Sequence, residues 1–209
     1  MKRITPKMLK DGIPKHLETD FDNHFRMEER YDKARQLDVI RVGKKLSYLL
    51  RHDPDFVDDK GWADTSVVLK ELKVNKSLLD TIVNTNDKKR YSYNDDETQI
   101  RANQGHSVDV DVELEKRIPP VILYHGTSPK FIKPILKTGL NKMNRQHVHL
   151  SSDLDTAINV GKRHSKKDKP VVLMVDCKSM VKDDYDFYLS ANGVWLTDNI
   201  PPKYLKIWE

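Results

Sequence analysis

Four basic side chains of this sequence stand at points where an anion could be bound. Arg51 and His52 end an apolar helical stripe that stops before Pro54, Arg101 lies in a predicted hairpin, and Arg163 ends another predicted helix. The arginine guanidinium is planar and permanently charged, and its N–H groups match the oxygens of a phosphate. Arginines that meet at one point would therefore form a phosphate site, although their spacing in the chain does not show whether they meet.

Each of these residues also has an ordinary structural explanation. Arg51 and His52 would complement the negative end of the helix macrodipole. Arg101 would be a surface arginine facing the turn at Asp95–Asp96, and Arg163 would be the basic last turn of its helix. These alternatives stay open for each residue taken singly.

Three polar stretches lie beside predicted strands, where packing alone does not require hydrogen-bonding side chains. Residues 101–107 (RANQGHS) follow a strand, and residues 124–128 (YHGTS) and 147–152 (HVHLSS) lie between a strand and a helix. Imidazoles, hydroxyls and backbone amides near a helix N-terminus favour anions. The alternative explanation is hairpin chemistry and helix capping.

A metal site and the common nucleotide-binding loops are not indicated. His147 and His149 would lie on one face of a strand, which can suit zinc, but no acidic or cysteine partner is near them in sequence. We therefore expect a packed or ligand-binding histidine pair and no metal. The eight glycines are scattered, and they form neither a Gly-x-Gly-x-x-Gly fingerprint nor a Walker loop.

The composition favours a soluble, unexported protein with an anionic partner. The 209 residues carry a net charge of +5, and residues 129–169 hold ten Lys or Arg against three Asp. Polyphosphate or nucleic acid would account for this local charge, and a solvated lysine face is the alternative. No apolar run is long enough to span a bilayer, and the single cysteine, Cys177, excludes an intramolecular disulfide. We expect an intracellular, cytoplasmic monomer, or a nuclear one in a eukaryote.

The predicted elements give an α+β fold in two lobes after an N-terminal extension, residues 1–36. Residues 37–117 contain three helices, the second capped by Thr65 or Ser66, and a hairpin, which favours a winged-helix-like lobe. Residues 118–209 contain two helices, at about 128–138 and 153–163, among six strands. The strands are predicted at 121–124, 148–150, 171–175, 187–189, 194–196 and 204–208.

Six segments, in this order, resemble the motifs of the RNA 2′-phosphotransferases, the NAD-dependent enzymes that remove the 2′-phosphate left at a tRNA splice junction. The segments are 46–52 (LSYLLRH), 61–62 (GW), 101–107 (RANQGHS), 124–127 (YHGT), 149–151 (HLS) and 160–164 (VGKRH). The resemblance covers residues 39–208, and the segment 101–107 is its most specific part. The first 36 residues match no motif.

The resemblance implies a winged-helix-like, RNA-binding lobe, an ADP-ribosyltransferase-like lobe that binds NAD, and an active site between them. The family's Arg-His-Arg-Arg set falls by motif on Arg51, His52, Arg101 and Arg163. The residues expected to bind NAD are His125, Gly126, Thr127, His149 and Ser151. The residues expected to bind RNA or phosphate are Gln104, His106 and Ser107.

The implied reaction has two steps. The RNA 2′-phosphate displaces nicotinamide from NAD, and the ribose 2″-hydroxyl then attacks that phosphate, which gives 2′-hydroxyl RNA and ADP-ribose 1″,2″-cyclic phosphate. Many ADP-ribosyltransferases carry a late catalytic glutamate, but residues 192–196 contain none. A phosphate monoester with a second pKa of about 6 is already anionic and needs no base. Whether His52 donates a hydrogen bond or moves a proton is left open.

Two other functions fit parts of the sequence. A mono-ADP-ribosyltransferase acting on nucleic-acid phosphate ends or on protein would keep the fold and change the substrate. A non-catalytic winged-helix protein would bind RNA in a salt-dependent way without releasing nicotinamide.

Overall fold

The computed structural model describes residues 15–86, 88–165 and 168–208, which form a mixed α+β fold. Two compact units, Met1–Lys44 and Lys45–Glu209, divide the chain. The helices are α1 (Lys15–His52), α2 (Thr65–Leu72), α3 (Lys76–Asn84), α4 (Ile132–Thr138), α5 (Leu154–His164) and α6 (Cys177–Lys182). The strands are β1 (Trp62–Asp64), β2 (Tyr91–Tyr93), β3 (Gln99–Ala102), β4 (Glu115–Lys116), β5 (Ile122–Thr127), β6 (Leu140–Asn141), β7 (Val148–Leu150), β8 (Val171–Asp176), β9 (Tyr188–Leu189), β10 (Trp195–Thr197), β11 (Asn199–Ile200) and β12 (Leu205–Ile207). Single 3₁₀ turns occupy Pro129–Phe131 and Pro202–Tyr204.

Helix α1 is longer than the sequence predicts. Its end at Arg51–His52 is confirmed, but it begins at Lys15, within the residues 1–36 that the sequence analysis treats as an extension. In the N-terminal unit the helix shows a surface ion pair, 2.9 Å between Arg41 and Asp38. In the second unit the last turns bury Leu46, Leu49 and Leu50 in the core, which fixes the direction in which Arg51 leaves the helix. The domain boundaries expected from the sequence stay predictions.

The predicted hairpin is confirmed and forms part of a three-stranded antiparallel sheet. Strand β3 lies between β1 and β2, and Trp62 pairs with Arg101 across the ladder. Alternate residues of β3, Ile100 and Ala102, are fully buried, so Arg101 lies on the opposite face. The predicted cap of α2 is wrong, because Asp64 accepts hydrogen bonds from the amides of Ser66 and Val67. A carboxylate is as good an N-cap as a hydroxyl.

The C-terminal half contains three further antiparallel sheets, with strand orders β12-β8-β5, β4-β9-β10-β7 and β11-β6. All six predicted strands are present, with small shifts at their ends. The two predicted helices are also present, although the first of them opens with a 3₁₀ turn. The short elements β4, β6, β11 and α6 carry too few residues for a periodic pattern, and the sequence did not indicate them.

Helix α5 packs directly on strand β5 because two glycines face the contact. A Cβ atom on Gly126 would lie 1.7 Å from the carbonyl oxygen of Ala157, and one on Gly161 would lie 2.7 Å from Pro170 Cβ. Asp153 caps the helix by accepting from the Thr156 amide at 2.7 Å. The position of α5, and therefore of Arg163, is set by this close backbone approach.

The core of this half contains Cys177, whose side chain is fully buried. Burial raises the pKa of its thiol to about 12. Among the described residues, no helix is long and apolar enough to cross a bilayer.

Candidate active site

The centre of the site is the guanidinium of Arg51. Its Nη1 donates to Ser47 Oγ at 2.8 Å, one turn back in α1, and its Cζ lies 5.9 Å from the centre of the Tyr91 ring. Nε and Nη2 are buried, and no acceptor among the described residues reaches them. Burial lowers the pKa of Arg51 to about 10, so the side chain stays charged at neutral pH. Two buried nitrogen donors of Arg51 therefore lack an acceptor among the described residues. Burying such donors costs free energy, and a bound anion would supply the missing hydrogen bonds.

Other cations surround Arg51. After burial itself, the influences on its pKa are Tyr91, which raises it, and Arg90 and Arg145, which lower it. Arg145 also lowers the pKa of His52. No carboxylate is among the groups that shift the pKa of Arg51, His52 or Arg145. We call Arg51, Arg90 and Arg145 the cation cluster; such a grouping is stabilised by a bound polyanion.

The sequence analysis missed Arg90 and Arg145. Arg90 directly precedes β2, and its Nη1 donates to Asn86 Oδ1 at 3.1 Å. Arg145 lies at the end of the turn that precedes β7, where its amide donates to the carbonyl oxygen of Lys142 at 3.1 Å. Arg145 stands two residues before the stretch 147–152 and Arg90 opens the predicted hairpin, and no motif or periodic pattern marks either of them as a site residue.

His52 is held by the segment 101–107. Its Nδ1 lies 2.8 Å from Ser107 Oγ, and the amide of Ser107 donates to the Arg51 carbonyl oxygen at 2.9 Å. The same hydroxyl lies 3.4 Å from that carbonyl oxygen. Burial, Arg51 and Arg145 lower the pKa of His52, so the exposed ring is mostly neutral at pH 7. The structure thus brings together three of the predicted site residues, Arg51, His52 and Ser107.

Gln104 and Gly105 bring His149 to the same place. His149 Nε2 lies 2.7 Å from Gln104 Oε1, and its Nδ1 lies 3.0 Å from the carbonyl oxygen of His147. A Cβ atom on Gly105, whose φ is +90°, would lie 3.6 Å from Arg51 Nε and 3.8 Å from His149 Nε2. Burial lowers the pKa of His149 to about 3, so the ring is neutral. Gly105 therefore supplies a backbone conformation that L-residues rarely adopt, at the point where two site residues converge.

His106 is buried behind these residues, 2% exposed, and its Nε2 has no hydrogen-bond partner among the described residues. Burial, with the nearby cations, lowers its pKa to about 4. Its carbonyl oxygen accepts from the Gln146 amide at 3.1 Å, and Gln146 Nε2 donates to the Val110 carbonyl oxygen at 2.8 Å. These bonds fix the turn that carries Arg145 against the segment that carries His106. The enclosed space beside these residues is about 10 Å³, enough for one water, so a larger ligand must lie on the exposed side.

Arg101 has a different environment. Its Nη1 donates to Glu113 Oε2 at 3.3 Å, and its Cζ lies 4.4 Å from the centre of the Trp62 ring. Glu113 Oε1 also accepts from Lys60 Nζ at 3.0 Å. The ion pair with Glu113 takes the place of the expected contact with the Asp95–Asp96 turn. Arg101 lowers the pKa of His106, so it lies near the site, but it is not among the groups that shift the pKa of Arg51 or His52.

Arg163 lies in the last turn of α5 and is exposed. After partial burial, it is the group that lowers the pKa of Arg145. Its charge therefore acts on Arg145, one member of the cation cluster. The catalytic role that the motif assigns to Arg163 stays a prediction.

The residues expected to bind NAD divide into two groups. His125, His149 and Ser151 are half-buried where β5 and β7 adjoin: His125 Nδ1 donates to the His149 carbonyl oxygen at 3.0 Å, and the Tyr124 and Ser151 backbones bond to each other. Gly126 and Thr127 are buried beneath α5. Gly126 is explained by helix packing, and its role in binding NAD stays a prediction.

The rings of His147 and His149 have different neighbours. His147 Nε2 lies 3.9 Å from Asp198 Oδ1, whereas His149 Nε2 faces Gln104. In the part of the chain that the structure describes, no group of three or more His, Cys, Asp or Glu side chains could hold a metal ion.

Comparison with known proteins gives one consistent family. The family model for "RNA 2'-phosphotransferase, Tpt1 / KptA family" matches residues 38–199. A probable RNA 2′-phosphotransferase of Fusobacterium nucleatum is 47% identical over 176 residues, covering 80% of this chain and 97% of the relative. Proteins with the same description from Hahella chejuensis and Flavobacterium johnsoniae are 48% and 46% identical, each covering 79% of this chain, and 92% and 94% of those relatives.

The matched region contains every residue of the cation cluster and the segments that hold it. Members of this family are enzymes that use NAD as co-substrate. Because the family model spans most of the chain and the relatives are close to half identical, the chain belongs to the RNA 2′-phosphotransferase family of Tpt1 and KptA.

Proposed function

We propose that this enzyme transfers an internal 2′-phosphate of RNA, at a tRNA splice junction, to NAD, and that the cation cluster binds that phosphate. The observation that carries the proposal is the pair of buried Arg51 donors that no acceptor among the described residues reaches, with Arg90 and Arg145 close enough to lower the pKa of Arg51. A phosphate monoester carries about two negative charges and three acceptor oxygens, which suits this arrangement.

In the first step, an oxygen of the RNA 2′-phosphate forms a bond to C1″ of the nicotinamide ribose, and the bond from C1″ to nicotinamide breaks. The phosphate is already anionic, so no side chain has to remove a proton from it. The task of Arg51 and Arg145 in this step is to hold the phosphate in position. Because they are arginines, their charge does not depend on pH in the physiological range.

In the second step, the ribose 2″-hydroxyl oxygen attacks the phosphorus and the RNA 2′-oxygen leaves with a proton, which gives ADP-ribose 1″,2″-cyclic phosphate. Negative charge grows on the phosphate oxygens in this step, and fixed guanidinium donors stabilise such charge. We assign this stabilisation to Arg51, Arg90 and Arg145. The motif-based assignment of Arg101 and Arg163 to the same task is the alternative that substitution will test.

The contacts of His52 favour a proton-moving role over hydrogen-bond donation from a cation. We assign to His52 the tautomer with Nδ1–H, whose acceptor is Ser107 Oγ at 2.8 Å. A neutral imidazole carries one N–H, so Nε2 is then an acceptor. Nε2 takes the proton of the 2″-hydroxyl, and the protonated ring returns it to the departing RNA 2′-oxygen.

NAD fits the half-buried polar groups beside the cluster. The Nε2 atom of His125 and the hydroxyl of Ser151 can exchange hydrogen bonds with ribose hydroxyls or a carboxamide, whereas both ring nitrogens of His149 are engaged by Gln104 and His147. His149 and Arg51 both lie next to the α-carbon of Gly105. NAD bound beside His149 would therefore lie next to a phosphate bound by Arg51. Once bound, NAD supplies an electrophilic ribose carbon and a leaving group.

The remaining expectations belong to the same proposal. We propose that residues 37–117 form a winged-helix-like, RNA-binding lobe and residues 118–209 an ADP-ribosyltransferase-like lobe. The three-stranded sheet with α2 and α3 supports the first of these, and the antiparallel sheets with α5 support the second. A monomer in the cytoplasm, and a reaction without metal, complete the proposal.

The test uses the full-length enzyme with NAD and a short RNA that carries one internal 2′-phosphate. Mass analysis is expected to show 2′-hydroxyl RNA, nicotinamide and the cyclic phosphate in equal amounts, also in the presence of EDTA. Parallel reactions with 5′-phosphorylated DNA, 5′-phosphorylated RNA and protein test the mono-ADP-ribosyltransferase alternative. ADP-ribose retained on any of those acceptors, with no cyclic phosphate from the 2′-phosphorylated RNA, would contradict the proposal. Salt-dependent RNA binding without nicotinamide release would favour the non-catalytic alternative.

A further inference from the structure

The imidazole of His149 is held at both of its nitrogen atoms. Nδ1 lies 3.0 Å from the carbonyl oxygen of His147, and Nε2 lies 2.7 Å from the side-chain amide of Gln104. A carbonyl oxygen can only accept a hydrogen bond, so Nδ1 carries a proton. The state of Nε2 therefore decides the charge of the ring, because a second proton there would make it an imidazolium.

The surroundings of His149 oppose the imidazolium. Burial is the largest influence and lowers the pKa of the ring, and the charges of Arg145, His147 and Arg51 lower it further. Only the bond to the His147 carbonyl oxygen raises it, and no carboxylate is among the groups that shift it. On the side of β5, His125 donates to the backbone carbonyl oxygen of His149 and not to its ring. The ring is therefore neutral, and its Nε2 is an acceptor.

A neutral His149 ring decides which end of the Gln104 amide faces it. An Nε2 atom without a proton needs a donor, and a glutamine side chain donates only through its nitrogen. A half-turn of the amide exchanges its oxygen and its nitrogen, so the hydrogen-bond partners determine their places. The Gln104 –NH2 group therefore makes the 2.7 Å contact with His149 Nε2, and the amide oxygen is directed away from the ring.

His149 lies where the reactive end of NAD has to be. Arg51 Nε and His149 Nε2 lie 3.6 Å and 3.8 Å from the point that a Cβ atom on Gly105 would occupy. A phosphate held by Arg51 attacks C1″, so the nicotinamide attached to that carbon lies in the same region. Because both nitrogens of His149 are engaged, the ring offers NAD only its faces. The nicotinamide of NAD is a cation, which an imidazolium in contact with it would repel and a neutral imidazole would not.

We infer that Gln104 is a positioning residue for NAD: its amide donates to His149 Nε2 and so keeps an uncharged imidazole face beside the cationic nicotinamide. The inference rests on the proposed function, because that function brings NAD to His149. It gives Gln104 a task different from the phosphate binding that the motif suggests. A glutamate at this position would have nearly the same shape and the opposite effect, since a carboxylate accepts and would place a proton on Nε2.

The first measurement reads the protons of the His149 ring directly. NMR of the full-length enzyme with ¹⁵N-labelled histidine, in the absence of substrates, distinguishes the two neutral tautomers from the imidazolium. The His149 signals are those lost in His149→Asn. The wild-type ring should show Nδ1–H and an unprotonated Nε2 from about pH 8 down to about pH 5. In Gln104→Glu the added negative charge raises the pKa of His149, so the ring should gain its second proton within that range.

The second measurement is the calorimetric Kd for NAD without RNA, over the same pH range. Below the raised pKa of His149, Gln104→Glu should bind NAD about tenfold more weakly than the wild type, and the difference should vanish as pH rises through that pKa. Gln104→Met removes the hydrogen bond and adds no charge, so its Kd relative to the wild type should not depend on pH. Gln36→Glu, at an exposed position of α1, makes the same chemical change and should match the wild type throughout.

Either measurement can overturn the inference. A wild-type His149 that is an imidazolium near neutral pH, or that carries its single proton on Nε2, contradicts the assigned contact whether or not the variants fold. A Gln104→Glu variant with a neutral His149 ring throughout, or with a Kd ratio that ignores pH, contradicts the role toward NAD. A wild-type enzyme that gives the expected spectra and binds NAD but converts no 2′-phosphorylated RNA overturns the proposed function instead.

Discussion

Arg51 and Arg101 are both poorly exposed arginines in segments that carry the family's motifs, yet their surroundings differ. Arg51 has two buried donors without acceptors and two further arginines near it, whereas Arg101 lies on an indole and donates to a carboxylate. The first arrangement is electrostatically incomplete without an anion, and the second is nearly complete in the protein alone. The comparison teaches that two arginines placed by motifs can differ in their partners, and it predicts that substituting them will have different effects.

The largest expected effect is that of Arg145→Ala. Removing a fixed donor to a developing negative charge costs about 10²–10³ in rate, so we expect this loss in the second step and accumulation of ADP-ribosylated RNA. Arg145→Lys should recover part of the rate, because it restores the charge and not the planar fork. Rapid-quench analysis of the RNA species measures both. Arg41→Ala, at an exposed position of α1, is the control and should match the wild type. Full activity of Arg145→Ala would contradict the proposal that the arginines near Arg51 bind the reacting phosphate.

His52 gives the next effect, and its pH dependence has a definite sign. The neutral ring is the active form, and its pKa lies below the usual 6.5, so the second step should be constant above neutrality and lost as pH falls through that pKa. Isolated ADP-ribosylated RNA is the substrate to use, because its phosphodiester does not titrate in this range, unlike the starting monoester. His52→Ala should abolish the acidic limb and lower the plateau about 10²-fold. A rate that instead rises as pH falls would indicate a cationic donor.

Arg101→Gln tests whether Arg101 acts in RNA binding or in the second step. If Arg101, held by Trp62 and Glu113, binds RNA without taking part in the second step, KM for RNA should rise about tenfold while kcat changes little, and no intermediate should accumulate. Steady-state kinetics at saturating NAD separate the two parameters. A fall in kcat with accumulated ADP-ribosylated RNA would support the motif-based catalytic assignment of Arg101.

The smallest effect is expected from Arg163→Ala. This exposed residue influences the cluster through Arg145, and surface charges act weakly through water, so a two- to fivefold fall in kcat/KM is expected. The fall should shrink at high salt, whereas that of Arg145→Ala should not. If Arg163→Ala and Arg145→Ala lose comparable activity, Arg163 contacts the reacting phosphate, as the motif-based assignment has it.

The sequence was most informative where a pattern repeats or a motif is long. The strands and the end of α1 follow from apolar periodicity, and Arg51, His52, Gln104 and Ser107 follow from the motifs that contain them. Arg90 and Arg145 were missed because each enters the site from the edge of a loop, and their convergence on Arg51 depends on tertiary contacts. The Trp62 and Glu113 contacts of Arg101 likewise join residues far apart in the chain. The packing of Gly126 was not predicted, because the Ala157 carbonyl that a Cβ atom would meet belongs to α5, and no local pattern shows that this helix lies there.

The burial of Cys177 has a practical consequence. With a fully covered thiol of pKa about 12 as the chain's single cysteine, maleimide reagents should find no native target in the folded protein. A cysteine introduced at an exposed position can then be labelled selectively in an otherwise unaltered chain. Fluorophores or spin labels attached in this way would follow RNA binding and nicotinamide release in real time, without first removing a natural sulfhydryl.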